Sequence, residues 1–214
     1  MPGSAPATAN RCRNLILAPH ADDEVLGCYS FLGPDTFVLY FGIEDRPYVS
    51  RQQRIQEIRA AAQRQGFVWK ALEFEVNEYR TTELISIIEE TIQRLKPALV
   101  LSPQPSYNQD HRAVYDAAMV ATRPHDENWF VDAVLLYEQP HSVLWKHARE
   151  RAPNFFVPIN IDEKVDLYAI YETQVRDHRS PELLRALACL RGAQIRVPHA
   201  EGFFVQRMLA GALS

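Results

Sequence analysis

Six side chains suited to metal binding or acid–base chemistry fall in two short segments of this sequence. His20, Asp22, Asp23 and Glu24 directly follow the apolar run NLILA, while Asp110 and His111 follow the apolar run ALVLS. A catalytic zinc site takes its protein ligands from His, Asp, Glu and Cys and leaves one position to water. His20, Asp23 and His111 supply such a set. The cation acidifies its water and polarises a substrate carbonyl, so a nearby carboxylate must collect the proton. Asp22, beside a ligand yet not required as one, is the candidate general base, and Asp110 is a further candidate catalytic residue. A plainer reading exists: aspartates at a helix start accept hydrogen bonds from free N–H groups. Capping would explain Asp22 or Asp23 alone, but not a histidine-bearing cluster repeated after two separate runs. His125, His141, His147 and His178 are read as ordinary surface or core histidines.

Ligands of open α/β sheets gather beyond the carboxyl ends of the strands, so the elements around these segments matter. NLILA (14–18), TFVLYF (36–41), KALEFEV (70–76), ALVLS (98–102) and VDAVLLYE (131–138) read as strands. Between them, a helix could begin in 22–31, and helices are expected over 51–66, 82–95 and about 112–121; Gly66 and Pro97 act as stops. Segment 155–161 and helices over 163–173 and 181–190 continue the same domain. Alternating strands and helices predict an α/β fold, a Rossmann-like, mostly parallel sheet with helices on both faces.

The 214 residues, 47% hydrophobic and 23% charged, suit one folded domain over 1–214, with 1–13 as a flexible leader. A net charge of −4 provides no field for phosphate backbones, so no nucleic-acid partner is expected. No apolar run is long enough to span a membrane, and the leader lacks a signal-peptide core. Cys12, Cys28 and Cys189 form no C-x-x-C pair; they read as small buried hydrophobes in a reducing cytoplasm.

With those residues in view, the chain resembles the PIG-L/LmbE-like family of zinc-dependent de-N-acetylases. The family's (A/P)-H-P-D-D-E signature stands here as Pro19-His20-Ala21-Asp22-Asp23-Glu24, and its H-x-D-H signature as Asn108-Gln109-Asp110-His111. Arg54 and Glu57 match its R-x-x-E helix. Weaker similarities are Tyr137-Glu138, the Lys164, Tyr171 and Gln174 set, and Ala200-Glu201-Gly202-Phe203. The resemblance implies a Rossmann-like fold, one zinc per chain with other divalent metals accepted, and hydrolysis of an N-acyl, commonly N-acetyl, group. The implied substrate is a small molecule, an N-acetylated sugar or glycoconjugate.

Two positions depart from the family pattern. Ala21 replaces a proline without removing a ligand. Asn108 replaces a histidine; asparagine can donate a hydrogen bond to an oxyanion but cannot deliver a proton near neutral pH. Proton delivery to the leaving amine would then fall to Asp22 or to another histidine such as His199. Arg51, Tyr107 and Glu201 are the candidate substrate contacts. Two rivals stand beside this reading: a phosphoester hydrolase, which would need a second metal and more ligands, and a catalytically silent sugar-binding protein. A homo-oligomer is compatible with all three.

Overall fold

Four of the expected strands, at 14–18, 36–41, 98–102 and 131–138, are apolar on both faces and dictate a buried sheet, because a strand covered on one side only would alternate apolar and polar residues, as 70–76 does. The computed structural model describes residues 12–125, 127–149 and 151–212, so most of the expected leader lies outside the described residues. Within them β1 (Asn14–Ala18), β2 (Thr36–Tyr40), β3 (Val68–Ala71), β4 (Leu99–Pro103), β5 (Ala133–Tyr137), β6 (Phe155–Pro158) and β7 (Ala200–Met208) form one sheet in the order β3-β2-β1-β4-β5-β7-β6. The first five strands pair in parallel. Only β7 runs the other way, between β5 and β6. The mostly parallel α/β expectation is met.

Helices cover both faces. Against one lie α1 (Asp23–Cys28), α2 (Arg51–Gln65), α6 (Ile161–Tyr168) and α7 (Pro181–Ile195), packing Val25, Ile58, Leu167 and Leu184 on Ile16, Val38 and Leu135. On the other, α3 (Thr81–Leu95) and α4 (Gln109–Ala121) pack Leu84, Ile88, Val114 and Ala118 on Leu15, Leu39 and Val100. Local chemistry sets the ends: Ser50 caps α2 by accepting from the Gln53 amide at 3.2 Å, and Gly66 closes it at φ 86°, a left-handed geometry that glycine adopts freely. Gly27 permits close packing elsewhere, since a Cβ there would collide with the Tyr137 ring.

Several boundaries differ from the sequence expectation. β3 starts and ends earlier than 70–76, yet the amides of Leu72 and Phe74 still bond to the carbonyls of Tyr40 and Phe41 at 2.8 and 3.1 Å. The alternation there marks an extended path running on past the regular ladder. α4 begins three residues before Arg112, because the polar triplet Gln109-Asp110-His111 forms its first turn under an asparagine cap. α6 stops at Tyr168, α7 runs on to Ile195, and neither β7 nor the short α5 (Pro140–Leu144) was anticipated. Of the cysteines only Cys28 is buried; Cys12 is half-buried and Cys189 exposed, with no disulfide among them. Among the described residues no helix is long and apolar enough to cross a membrane.

The chain runs from β1 outward through β2 to β3, then returns to place β4 on the other side of β1. Loops leaving β1 and β4 must therefore diverge, and a crevice opens between them. Both candidate segments are at that crevice.

Candidate metal centre

Residues after β1 turn sharply. Asp22 takes the left-handed conformation at φ 87°, rare for a residue with a side chain, and α1 follows. Its carboxylate makes no capping hydrogen bond, and that of Asp23 instead accepts from the His20 amide at 2.8 Å. Capping thus does not account for this pair. Across the crevice Asn108 caps α4, its side-chain oxygen accepting from the amides of Asp110 and His111 at 2.9 and 3.4 Å.

The two segments bring His20, Asp23 and His111 together, with one candidate ligand atom from each lying within 4.8 Å of the others. Asp23 Oδ2 sits 3.6 Å from His20 Nδ1 and 3.4 Å from His111 Nε2. Zinc–ligand bonds of about 2.1 Å in a tetrahedron imply ligand–ligand separations of roughly 3.4 Å, so the donor set fits a zinc-sized cation. Electrostatics point the same way. Burial disfavours a charged His20, yet the hydrogen bond it donates to Asp110 and the charges of Asp23 and Asp110 outweigh it and raise the imidazole's pKa. A site that attracts a proton to His20 attracts a cation for the same reason.

Asp110, expected to take part in catalysis, lies behind His20 and is not among the residues that line the adjacent cleft. Fully buried, it accepts from His20 Nε2 at 2.9 Å and from the Asn77 amide at 2.7 Å. It orients His20 so that Nδ1 faces Asp23, the arrangement by which a carboxylate behind a ligating histidine fixes its tautomer. Asp22 contrasts with it. Arg179 Nη1 lies 3.1 Å from Asp22 Oδ2 but off a hydrogen-bonding direction, and neither carboxylate oxygen has a hydrogen-bond partner among the described residues. Burial pushes Asp22 up to about 7, with Arg179 opposing and Asp23 reinforcing the shift.

A cleft of about 300 Å³ opens on this cluster, lined by His20, Asp23 and His111 and by Glu44, Arg46, Arg54, Asn108, Gln139, His141, His178 and Arg179. Gln139 donates to Asp23 Oδ1 at 3.1 Å. Glu44 pairs with Arg54 at 3.0 Å and also with Arg46, so two guanidinium groups share one carboxylate. The three expected substrate contacts fall outside the lining. Arg51, the first residue of α2, pairs with exposed Glu73 at 3.6 Å; its place in the cleft is taken by Arg46 and Arg54. Glu201 is buried and accepts from Lys164 Nζ, the Tyr29 amide and the Ser30 amide at 2.6, 3.1 and 2.8 Å, so its carboxylate is engaged within the fold and away from the cleft. Tyr107 is on the surface beside the cleft, its ring 5.4 Å from that of Trp145.

Two histidines read as ordinary prove to line the cleft. His141, carried by α5, stands edge-on to His111 with ring centroids 5.4 Å apart, and its Nε2 is buried without a hydrogen-bond partner. Burial and Arg179 hold its pKa down at about 4, so it is neutral near pH 7. His178 comes from a 3₁₀ turn, Asp177–Arg179, that also delivers Arg179. His199, which precedes β7, is not among the lining residues. The usable signal for His141 was positional: it follows the carboxyl end of β5, the strand next to β4.

At the level of sequence, no family model matches the chain and no curated protein matches it. Similarity to solved structures extends over nearly the whole molecule. The N,N'-diacetylchitobiose deacetylase of Pyrococcus horikoshii superposes with a TM-score of 0.73 at 20% identity, covering 91% of this chain and 84% of that one. A zinc-inhibited form of a teicoplanin deacetylase gives 0.74 at 19% identity, over 90% and 97%. The 4-carboxy-2-hydroxymuconate hydratase of Pseudomonas putida gives 0.70 at 18% identity, over 91% and 96%. The chain has the fold that these enzymes share.

Proposed function

We propose that this chain is a metal-dependent N-deacetylase of the PIG-L/LmbE-like family, acting on an N-acetylated amino sugar or a closely related small molecule. One observation carries the reading: His20, Asp23 and His111 converge at the switch point of the sheet with separations that fit a zinc-sized cation, next to the buried carboxylate of Asp22, which is ion-paired with Arg179 but accepts no hydrogen bond among the described residues. Two of the structures sharing its fold are deacetylases by name, which supports the reaction class.

A divalent cation held by His20, Asp23 and His111 would supply Lewis acidity, polarising the acyl carbonyl and acidifying a water. Asp22, next in sequence to the ligand Asp23, is the carboxylate that would take a proton from the attacking water. Burial raises its proton affinity above that of an exposed aspartate, which suits a general base. Asp110 is a positioning residue, locking the His20 ring through its Nε2–H. The oxyanion needs preorganised donors. Asn108 spends its oxygen on the cap of α4, so its amide N–H₂ remains for the cleft, and His141 offers an unpaired Nε2 to the same space. Neutral His141 acts as a hydrogen-bond donor; returning the proton to the departing amine falls to Asp22. Arg46 and Arg54 hold the sugar hydroxyls or an acidic substituent.

Elemental analysis of purified protein together with acetate release from a panel of N-acetylated amino sugars tests the proposal. About one zinc per chain, as expected for a single three-ligand site, together with stoichiometric acetate and free amine is the expected outcome. Two metals per chain with phosphate release from phosphoesters would replace it by the phosphoesterase reading. Metal without acetate release from any N-acylated compound would leave the hydratase of the same fold as the better guide.

A further inference from the structure

A second concavity, of about 240 Å³, is lined on one side by the short helix α5 and carries an excess of positive charge. Lys146, Arg151 and Arg191 line it against a single carboxylate, Glu138. That carboxylate is fully engaged: Arg191 Nε donates to one of its oxygens at 2.8 Å and Arg191 Nη2 to the other. Cancelling this pair leaves the charges of Lys146 and Arg151. Neither the ammonium nor the guanidinium has an ion-pair or hydrogen-bond partner among the described residues. Single exposed cations are ordinary on a protein surface, but two that line one walled pocket add their fields inside it.

The walls are held by bonds that use neither charge. Gln104, buried just beyond β4, accepts from the Arg151 amide at 2.7 Å and donates to the Arg151 carbonyl at 3.0 Å, as the backbone of a neighbouring strand would. On the α7 side, Arg191 Nη1 donates to Gln194 at 3.0 Å. On the α5 side, Oγ and the amide of Ser142 both donate to the Gln139 carbonyl, at 2.8 and 3.0 Å. The pocket is therefore formed before anything enters it, and the charges left unengaged are both positive. A ligand there would have to order only two side chains, which keeps the entropic cost of binding small.

Size and charge together narrow the ligand. The volume lies below the range of about 300–1,000 Å³ common for pockets that take drug-sized molecules, so the occupant is compact. Two positive charges call for about two negative ones. A phosphate group carries about −1.5 to −2 near pH 7, and its oxygens accept from a guanidinium and an ammonium at once.

We infer that the pocket between α5, α7 and the segment preceding β6 is an anion site that takes a phosphate group, free or on a small monoester, apart from the candidate metal cleft. The two concavities share no lining residue, and α5 stands between them: His141 lines the cleft, whereas Ser142 and Val143 line the pocket. Gln139, which donates to Asp23 in the cleft, also holds Ser142 through its carbonyl. An occupant of the pocket thus braces the turn that carries two cleft residues. The site goes beyond the N-deacetylase reading and does not depend on it.

Calorimetric titration of the zinc-loaded protein with inorganic phosphate and, separately, with glucose 6-phosphate tests the inference. Saturable binding is expected; tighter binding of the sugar phosphate identifies a monoester as the ligand, and tighter binding of the free ion identifies inorganic phosphate. Lys146→Gln and Arg151→Gln should each weaken binding by about ten-fold, the loss of one charge-assisted hydrogen bond, and the double variant should abolish it. Lys146→Arg should keep most of the affinity. Both side chains are exposed, so these changes leave the core intact. Arg46→Gln, which removes a cation from the cleft, should leave the affinity within about two-fold of wild type. No binding of either phosphate, or binding that survives the double variant, would overturn the site. Binding lost in Arg46→Gln would place the phosphate in the cleft and overturn it as well. Phosphate binding that follows the pocket variants in a protein releasing no acetate would uphold the site and sink the deacetylase reading.

Discussion

Helix α1 has a buried polar cluster at each end, and the two differ in how their atoms are satisfied. At the carboxyl end, Lys164 Nζ donates to the Leu26 carbonyl at 2.8 Å and to Glu201 at 2.6 Å, while Glu201 also accepts from two backbone amides. That charge pair is closed on itself and ties α1, α6 and β7 together. At the amino end, both oxygens of Asp22, Nδ1 of His111 and Nε2 of His141 are buried without hydrogen-bond partners among the described residues. Buried polar groups are normally paired, since leaving one unpaired costs about 1–3 kcal/mol. One cluster therefore serves the fold, and the other holds unfilled bonding capacity at the mouth of a crevice. Residue type alone does not separate them: Glu201 and Asp22 are both buried acids in motif-like surroundings, and only their partners distinguish structure from chemistry.

Four substitutions or conditions test the contrast. Asp22→Asn should have the largest effect, lowering kcat by about 10²–10⁴-fold while zinc content by mass spectrometry stays unchanged; loss of the metal together with activity would move Asp22 among the ligands. Lys164→Met leaves the buried Glu201 charge without its cation, and should reduce stability in urea by about 3–5 kcal/mol while acetate release per folded molecule stays within about two-fold of wild type. A large loss of activity in protein shown to be folded would erase the distinction between the clusters. Replacing His141 by Ala should raise the barrier by about 2.7–4 kcal/mol, seen as a fall in kcat with KM little altered. An unaltered kcat would return His141 to the ordinary histidines.

The smallest effect concerns acid stability of metal-free protein. His141 is held at about 4 in the fold, below the ordinary value of about 6.5. A depressed pKa means that the folded state disfavours protonation. This contribution is complete above the unfolded value and is lost as pH falls from there through 4, amounting to about 3 kcal/mol at most. Burial depresses His111 in the same direction. In chelator, urea midpoints of wild type should fall more steeply between neutral pH and pH 4 than those of His141→Gln. Parallel curves would mean that His141 accepts a proton without opposition.

Much of this was legible in the sequence, for identifiable reasons. β1, β2, β4 and β5 are largely apolar runs, as strands buried on both faces must be, and the His20 and His111 segments come next after two of them. β7 was missed because Glu201, Gly202 and Gln206 interrupt its apolar character, and its pairing with β5 and β6 joins segments far apart in the chain. His141 and Arg179 were missed because each is delivered by a single short turn of helix, too brief to carry a periodic signal. Glu201 was misread for the opposite reason. Its partners Tyr29, Ser30 and Lys164 come from two other parts of the chain, so nothing local reveals that it is already occupied.

The placement of β7 also bears on how the molecule is made. Of the seven strands it is last in order along the chain, yet it lies inside the sheet, and it carries the glutamate that fastens the far end of α1. During synthesis the strands from β1 to β5 can assemble as they emerge, since each adds to an edge of the sheet that is already present. β6 has no edge to join until β7 arrives, because β7 is its sole neighbour in the sheet. Long-range pairing of this kind is slow to form. A nascent chain stalled before residue 200 would present the candidate metal ligands on a sheet whose open flank at β5 is free to pair with other chains.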